Sequence, residues 1–140
     1  MSTAQSKRRL DEVSLALPAR PLVSIVIPCL NEERYITNLL DSLQDQDYGP
    51  DGIEVIVSDG GSTDRTRDLV RDYPSRFRAL RLVDNPKRIT VGGLNAGMDA
   101  ATGDCWIIIG AHSVVRGDFV RASVEGLQRT GAACVGGPIE

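Results

Sequence analysis

The stretch VIVSDGGSTDRT, Val55 to Thr66, constrains this chain more than any other. Val55, Ile56 and Val57 are β-branched and apolar, which suits a strand buried on both faces. Asp59, Gly60 and Gly61 follow, and the glycines let the backbone turn tightly and approach a ligand. Ser62, Thr63 and Asp64 are residues that cap a helix start. This order puts Asp59 at the carboxyl end of a parallel strand, where open α/β sheets bind ligands. A carboxylate there can accept hydrogen bonds from a base or a ribose. An ordinary βα turn with a solvated aspartate fits the same letters equally well.

The rest of the chain repeats the strand, turn and helix alternation. Residues 22–27 (LVSIVI) predict a first strand, ended by Pro28, which cannot donate to a central ladder. Asn31 then reads as a helix cap, with Glu32 and Glu33 at the positive end of the dipole. Ile36, Leu39, Leu40 and Leu43 form an apolar stripe at helical spacing, ending near Gln46. Further helices are expected over 64–73, 90–101 and 118–130, and further strands over 53–58, 80–83, 105–109 and 132–135. Gly92, Gly93 and Gly97 each cost roughly 1 kcal/mol within the 90–101 helix. Either another backbone or a ligand comes close there, or that helix is loose or broken. The alternation predicts a three-layer α/β sandwich with a mainly parallel sheet.

Length and composition fit one domain: 140 residues, 25% of them charged, net charge −3. The charge argues against a nucleic-acid partner, which favours a basic face. Cys29, Cys105 and Cys134 lie far apart, which suits reduced thiols and a cytoplasmic setting. No apolar run approaches the roughly 18 residues of a membrane span, so no membrane segment is expected. Lys7, Arg8 and Arg9 are followed by Asp11 and Glu12, not by the apolar run of a signal peptide. Residues 1–21 are expected to be a flexible tail and 22–140 the folded part.

Three predicted strand ends matter: 28–32, 59–62 and 110–113. In a parallel sheet all three reach the same edge. There Asp59 and Glu32 offer acceptors, Arg88 or Lys87 a phosphate contact, and His112 a metal or phosphate contact. The phosphate loops GxxxxGK[ST] and GxGxxG are missing, which counts against a P-loop enzyme or a classical dinucleotide domain.

The segments VSIVIPCLNEERYITNLLDSLQDQ, IEVIVSDGGSTDRTRDLV and NPKRITVGGLNAGMDAATGDCWIIIGAHSVV resemble the family 2 glycosyltransferases, in particular the bacterial exopolysaccharide (succinoglycan-type) branch. The resemblance covers residues 22 to about 137, with the three motifs in order. It implies a GT-A fold, Rossmann-like in its nucleotide-binding half. It also implies inverting transfer from a nucleotide-sugar donor, usually UDP-linked, to a saccharide or lipid-linked acceptor. Residue by residue, it implies that Pro28, Asn31, Glu32 and Glu33 line the nucleoside pocket. Asp59, Gly61 and Ser62 stand in the family's DDGSTD block, with Gly60 replacing its second acid. Asn95 and Gly97 lie beside the donor diphosphate, with Arg88 near them.

The family's metal-binding DxD motif is replaced by Gly110, Ala111 and His112. A divalent cation, Mg²⁺ or Mn²⁺, would then rest on His112, and a neutral imidazole serves these ions less well than a carboxylate. The resemblance also implies that the acceptor site and the general base lie in a further stretch of about a hundred residues. No catalytic residue is assigned within this chain, which reads as a truncated, donor-binding part. The missing strands would leave apolar sheet surface open to self-association. The competing expectation is a non-catalytic nucleotide-binding or interaction module.

Overall fold

The computed structural model describes residues 18–85, 96–130 and 134–135. Five parallel strands, β1 (Val23–Cys29), β2 (Ile53–Asp59), β3 (Ala79–Asp84), β4 (Cys105–Ile108) and β5 (Cys134–Val135), lie in the order β3-β2-β1-β4-β5. The helices are α1 (Ile36–Gln44), α2 (Thr66–Arg71), α3 (96–100) and α4 (Phe119–Thr130). This is the doubly wound order expected of a Rossmann-like half. It reverses direction beside β1, which creates a crevice at the carboxyl ends of β1 and β4.

One face of the sheet carries the core. Val23, Ile25 and Ile27 of β1, Ile53, Val55 and Val57 of β2, and Cys105 and Ile107 of β4 pack with Leu39, Leu40 and Leu43 of α1 and Val120, Val124 and Leu127 of α4. Each fully buried aliphatic side chain is worth about 1.5–3 kcal/mol against exposure. The stripe predicted for α1 therefore does what its spacing implies. The helix itself starts later than Asn31 suggests, with Tyr35 as its N-cap. Of the predicted 90–101 helix, the described portion is 96–100.

The strand was expected to end at Pro28, yet β1 continues to Cys29 and pairs Pro28 with Ser58. The reason lies in the alternation of a parallel ladder. The Val26 carbonyl accepts from Ile109 on the β4 side, and the Cys29 carbonyl accepts from Gly60 on the β2 side. Pro28 therefore turns its missing N–H toward β4, beyond the last paired residue there, Ile108.

The opposite face is less apolar than the run of letters suggests. Ser24 and Glu54 are buried on it, and Trp106 and Ile108 of β4 are only half-buried. Glu54 Oε2 accepts from Ser24 Oγ at 2.8 Å and from Thr102 N and Oγ1 at 3.1 and 2.9 Å. Ser24 Oγ in turn accepts from Gly103 N at 2.8 Å. Glu54 Oε1 makes no hydrogen bond, although the Arg81 guanidinium stands 3.4 Å away. That distance supports charge attraction but not an aligned bond. Burial pushes the Glu54 carboxyl up, and the Ser24, Thr102 and Arg81 contacts outweigh it and leave it lowered.

These bonds anchor the carboxyl end of α3 to the sheet. At Gly97, an added Cβ would stand 2.3 Å from Val26 Cγ1. The close approach expected at that glycine is therefore to a strand side chain. Residues 18–21, the end of the predicted tail, are held in place. Gln128 donates to the carbonyls of Pro18 and Ala19, Tyr48 donates to that of Pro21, and Arg20 pairs with Asp51.

Candidate functional site

Three loops leave the carboxyl edge of the sheet together, after β1, β2 and β4. The first two are stitched to each other. Asn31 takes a left-handed φ of 52°, which its short polar side chain tolerates. Its Oδ1 accepts from Thr63 N at 2.9 Å and Asp64 N at 3.4 Å. Its own N–H donates to Ser62 Oγ at 2.8 Å. Glu32 N donates to Thr66 Oγ1 at 2.8 Å, and Glu33 Oε2 accepts from Arg65 N at 3.3 Å. Asn31 thus caps the neighbouring loop and not its own helix. Asp64 does serve a helix start, accepting from Thr66 N at 2.9 Å.

Asp59 ends β2 and is 1% exposed. Its Oδ2 accepts from Gly61 N at 3.0 Å, Ser62 N at 2.9 Å and Arg67 Nη1 at 2.9 Å. Its Oδ1 accepts from Ser62 Oγ at 2.5 Å and from Cys29 Sγ at 3.6 Å. Burial pushes this carboxyl up, but the bonds from Ser62, Arg67 and Gly61 outweigh it and hold it below its ordinary value. The Cys29 thiol is pushed up to about 12 by burial and by the Asp59 charge, so it stays a protonated donor. Gly61 turns at φ 96°, a conformation that favours glycine. Asp59, Asn31 and Ser62 are therefore committed to holding the loops.

The groups left open are others. Glu32 is 22% exposed in its side chain, and its Oε1 stands 3.7 Å from His112 Nδ1. That contact joins the loop after β1 to the loop after β4, across the crevice. Ala111 is buried, Gly110 adds no side chain, and Pro28 is half-buried at the end of β1. The Tyr35 ring meets His112 edge-on, at 6.4 Å and 72°. Arg67 also pairs with Asp84 at 2.8 Å, at the end of β3, and Asp84 is 78% exposed. Arg88, Lys87 and Asn95 lie outside the described residues. Gly97 is buried against Val26.

Sequence reading missed Arg67, Asp84 and Tyr35. The signal for Arg67 was its place at the start of the helix that follows the Asp59 turn. Asp84 is register-paired with Asp59 on the next strand. Nothing in the letters marked Tyr35, since a tyrosine at a helix start is unremarkable on its own.

Among the described residues no group of three or more His, Cys, Asp or Glu side chains could hold a metal ion. The Glu32 and His112 pair supplies one carboxylate and one imidazole. Such a set fits a divalent cation only when a bound ligand's oxygens and water complete the shell, as Mg²⁺ does with phosphates. No helix among the described residues is long and apolar enough to cross a membrane.

A family model described as glycosyl transferase family 2 matches residues 24–140. The chain is 38% identical over 109 residues to the dolichyl N-acetyl-alpha-D-glucosaminyl phosphate 3-beta-D-2,3-diacetamido-2,3-dideoxy-beta-D-glucuronosyltransferase of Methanococcus voltae, covering 76% of this chain and 34% of that protein. It is 37% identical over 113 residues to the succinoglycan biosynthesis protein ExoA of Rhizobium meliloti, covering 79% of this chain and 34% of that one. It therefore spans about a third of the length of these relatives. Among solved structures it resembles glucosyl-3-phosphoglycerate synthase of Mycobacterium tuberculosis, in complex with Mn²⁺, UDP and glucosyl-3-phosphoglycerate. The TM-score is 0.59 at 26% identity, over 85% of this chain and 42% of that one. The expected GT-A architecture is thus present.

Proposed function

The chain belongs to glycosyl transferase family 2, and from that premise we propose that residues 22–140 form the nucleotide-sugar-binding part of an inverting glycosyltransferase. The donor we infer is a UDP-sugar. The acceptor is a saccharide or lipid-linked saccharide in polysaccharide or cell-envelope glycan synthesis, and the setting is cytoplasmic. The observation that carries this reading is the 3.7 Å approach of Glu32 to His112, which makes one mouth of two loops at the reversal point of the sheet. Relatives that transfer sugars, and a neighbour solved with UDP and Mn²⁺, support it.

The mouth is acidic. Glu32, Glu33 and Asp64 stand on the loops after β1 and β2, and Asp84 ends β3, paired with Arg67. A diphosphate entering such a mouth needs a cation beside it. His112 and Glu32 are the residues that would hold a divalent metal, which supplies charge neutralisation to the leaving diphosphate when bound. The chain's own contribution is binding and orientation. The stitched loops fix the pocket wall, Pro28 and Ala111 form its floor, and the Gly60 and Gly61 backbone lets the nucleoside come close. The general base of an inverting transfer is not assigned to a residue here.

Gly60 and Gly110, both standing where the family places acids, favour a second reading, a nucleotide-binding module without turnover. Titration calorimetry with UDP, with and without Mn²⁺, tests the assignment. The expected result is weak binding, with a Kd of about 1 mM, strengthened less than about tenfold by Mn²⁺. His112→Ala is expected to remove that gain. Tight micromolar binding whose metal dependence survives His112→Ala would show that the cation rests elsewhere. Hydrolysis of a UDP-sugar by this chain alone would rule out the module reading.

A further inference from the structure

Among the described residues, the exposed large hydrophobic side chains are Leu30, Tyr35 and Val114. All three stand on the loops after β1 and β4, at the carboxyl edge of the sheet. Scattered exposed hydrophobics need no explanation, but a cluster at one rim does.

Tyr35 is the informative member. Its backbone is fixed at the start of α1, its N–H donating to Glu32 O at 3.0 Å and its carbonyl accepting from Leu39 N at 3.1 Å. Its side chain is not packed away: the residue is 47% exposed. The ring stands 6.4 Å from His112 at 72°, an edge contact, and nearly half of the residue stays open to solvent. Its hydroxyl makes no hydrogen bond among the described residues. The result is an exposed aromatic ring with a polar tip, carried on an anchored backbone beside the histidine that faces Glu32.

A pyranose ring has the matching chemistry. Its C–H face is apolar and its hydroxyls lie round the rim, so it lies flat on an aromatic ring while its hydroxyls bond at the edge. We propose that Tyr35 is the platform for the sugar ring of the donor, and so a specificity-determining residue of the nucleotide-sugar site. This rests on the donor-site reading given above. If His112 marks the diphosphate, the sugar bonded to the distal phosphate lies one group away, and Tyr35 is the aromatic ring that touches His112. Leu30 and Val114 are further exposed apolar side chains on the same two loops.

The test compares UDP with UDP-glucose and UDP-N-acetylglucosamine on the full chain, by calorimetry and saturation-transfer NMR. In the wild type, saturation is expected to reach the pyranose protons. Tyr35→Ala is expected to lose about three- to tenfold in affinity for the UDP-sugars while UDP itself stays within about twofold. Tyr35→Phe, which keeps the ring, is expected to retain the UDP-sugar affinity. Retained UDP binding also shows that the Ala variant is folded. Equal losses for UDP and UDP-sugar would overturn the proposal, as would no loss for either. A wild type that binds no UDP would overturn the donor-site reading first, and this inference with it.

Discussion

Strand β2 carries a buried carboxylate near each end, and the two are satisfied differently. Glu54, near the amino end, has one oxygen bonded to Ser24 and Thr102, while the other lacks a hydrogen bond and faces Arg81 at 3.4 Å. Asp59, at the carboxyl end, has both oxygens taken, by Gly61, Ser62, Arg67 and Cys29. By position, Asp59 is the one expected to bind a ligand. By satisfaction it has the least capacity left to do so. A carboxylate at the ligand edge of a sheet is therefore not thereby a ligand. What matters is which acceptors the fold has left open, and here that means Glu32, since Asp84, though exposed, already pairs with Arg67 at 2.8 Å.

The largest effect should come from Asp59→Ala. It strands the Gly61 and Ser62 N–H groups and leaves Arg67 with Asp84 as its remaining partner. Removing one partner of a buried charged network costs about 3–5 kcal/mol. Urea denaturation reads this directly. A loss below about 1 kcal/mol would mean that Asp59 is spare capacity for a ligand, and the contrast with Glu54 would fail.

Much of this was legible in the sequence. The βαβα alternation, the α1 stripe and the shared edge of the three loops all follow from period and order. Satisfaction was not legible, because it depends on partners distant in sequence. Asn31 bonds to Thr63, and Glu54 to Thr102. Pattern rules see neighbours along one element, so Asn31 read as a cap for its own helix. The same limit hid the polar face under β2, because nothing along the strand itself says that Glu54 meets Ser24 and Thr102.

A smaller effect is expected at Glu54. Glu54→Gln keeps the shape but exchanges an ionised acceptor for a neutral one, at a cost of about 1–3 kcal/mol. The amides of Thr102 and Gly103 should exchange faster with solvent, while those of Gly61 and Ser62 stay protected. Acid sharpens the contrast further. Both carboxyls are lowered in the folded chain. Each therefore adds stability that is fully present above its unfolded value, about 4, and is lost as pH falls through the lower folded value. Glu54→Gln and Asp59→Asn should each flatten the fall in stability below about pH 4, and a variant as acid-sensitive as the wild type would show that its carboxyl is not linked to folding.

The smallest effect separates backbone from side chain at Asn31. Glycine adopts a φ of 52° without strain, so Asn31→Gly removes from the folded chain only the bonds that Oδ1 accepts from Thr63 N and Asp64 N. The expected loss is about 1 kcal/mol, mostly from the Thr63 bond, because the Asp64 bond at 3.4 Å is long and adds little. Asn31→Ala removes the same bonds and adds the left-handed penalty of roughly 1–2 kcal/mol. Thermal or urea denaturation of the two variants gives the difference. If Gly and Ala cost the same, the left-handed turn is not what holds Glu32 toward His112, and the mouth would have to be formed by the loop after β4 alone. If Ala costs more, the turn itself sets the position of the one carboxylate in the crevice that the scaffold leaves partly open.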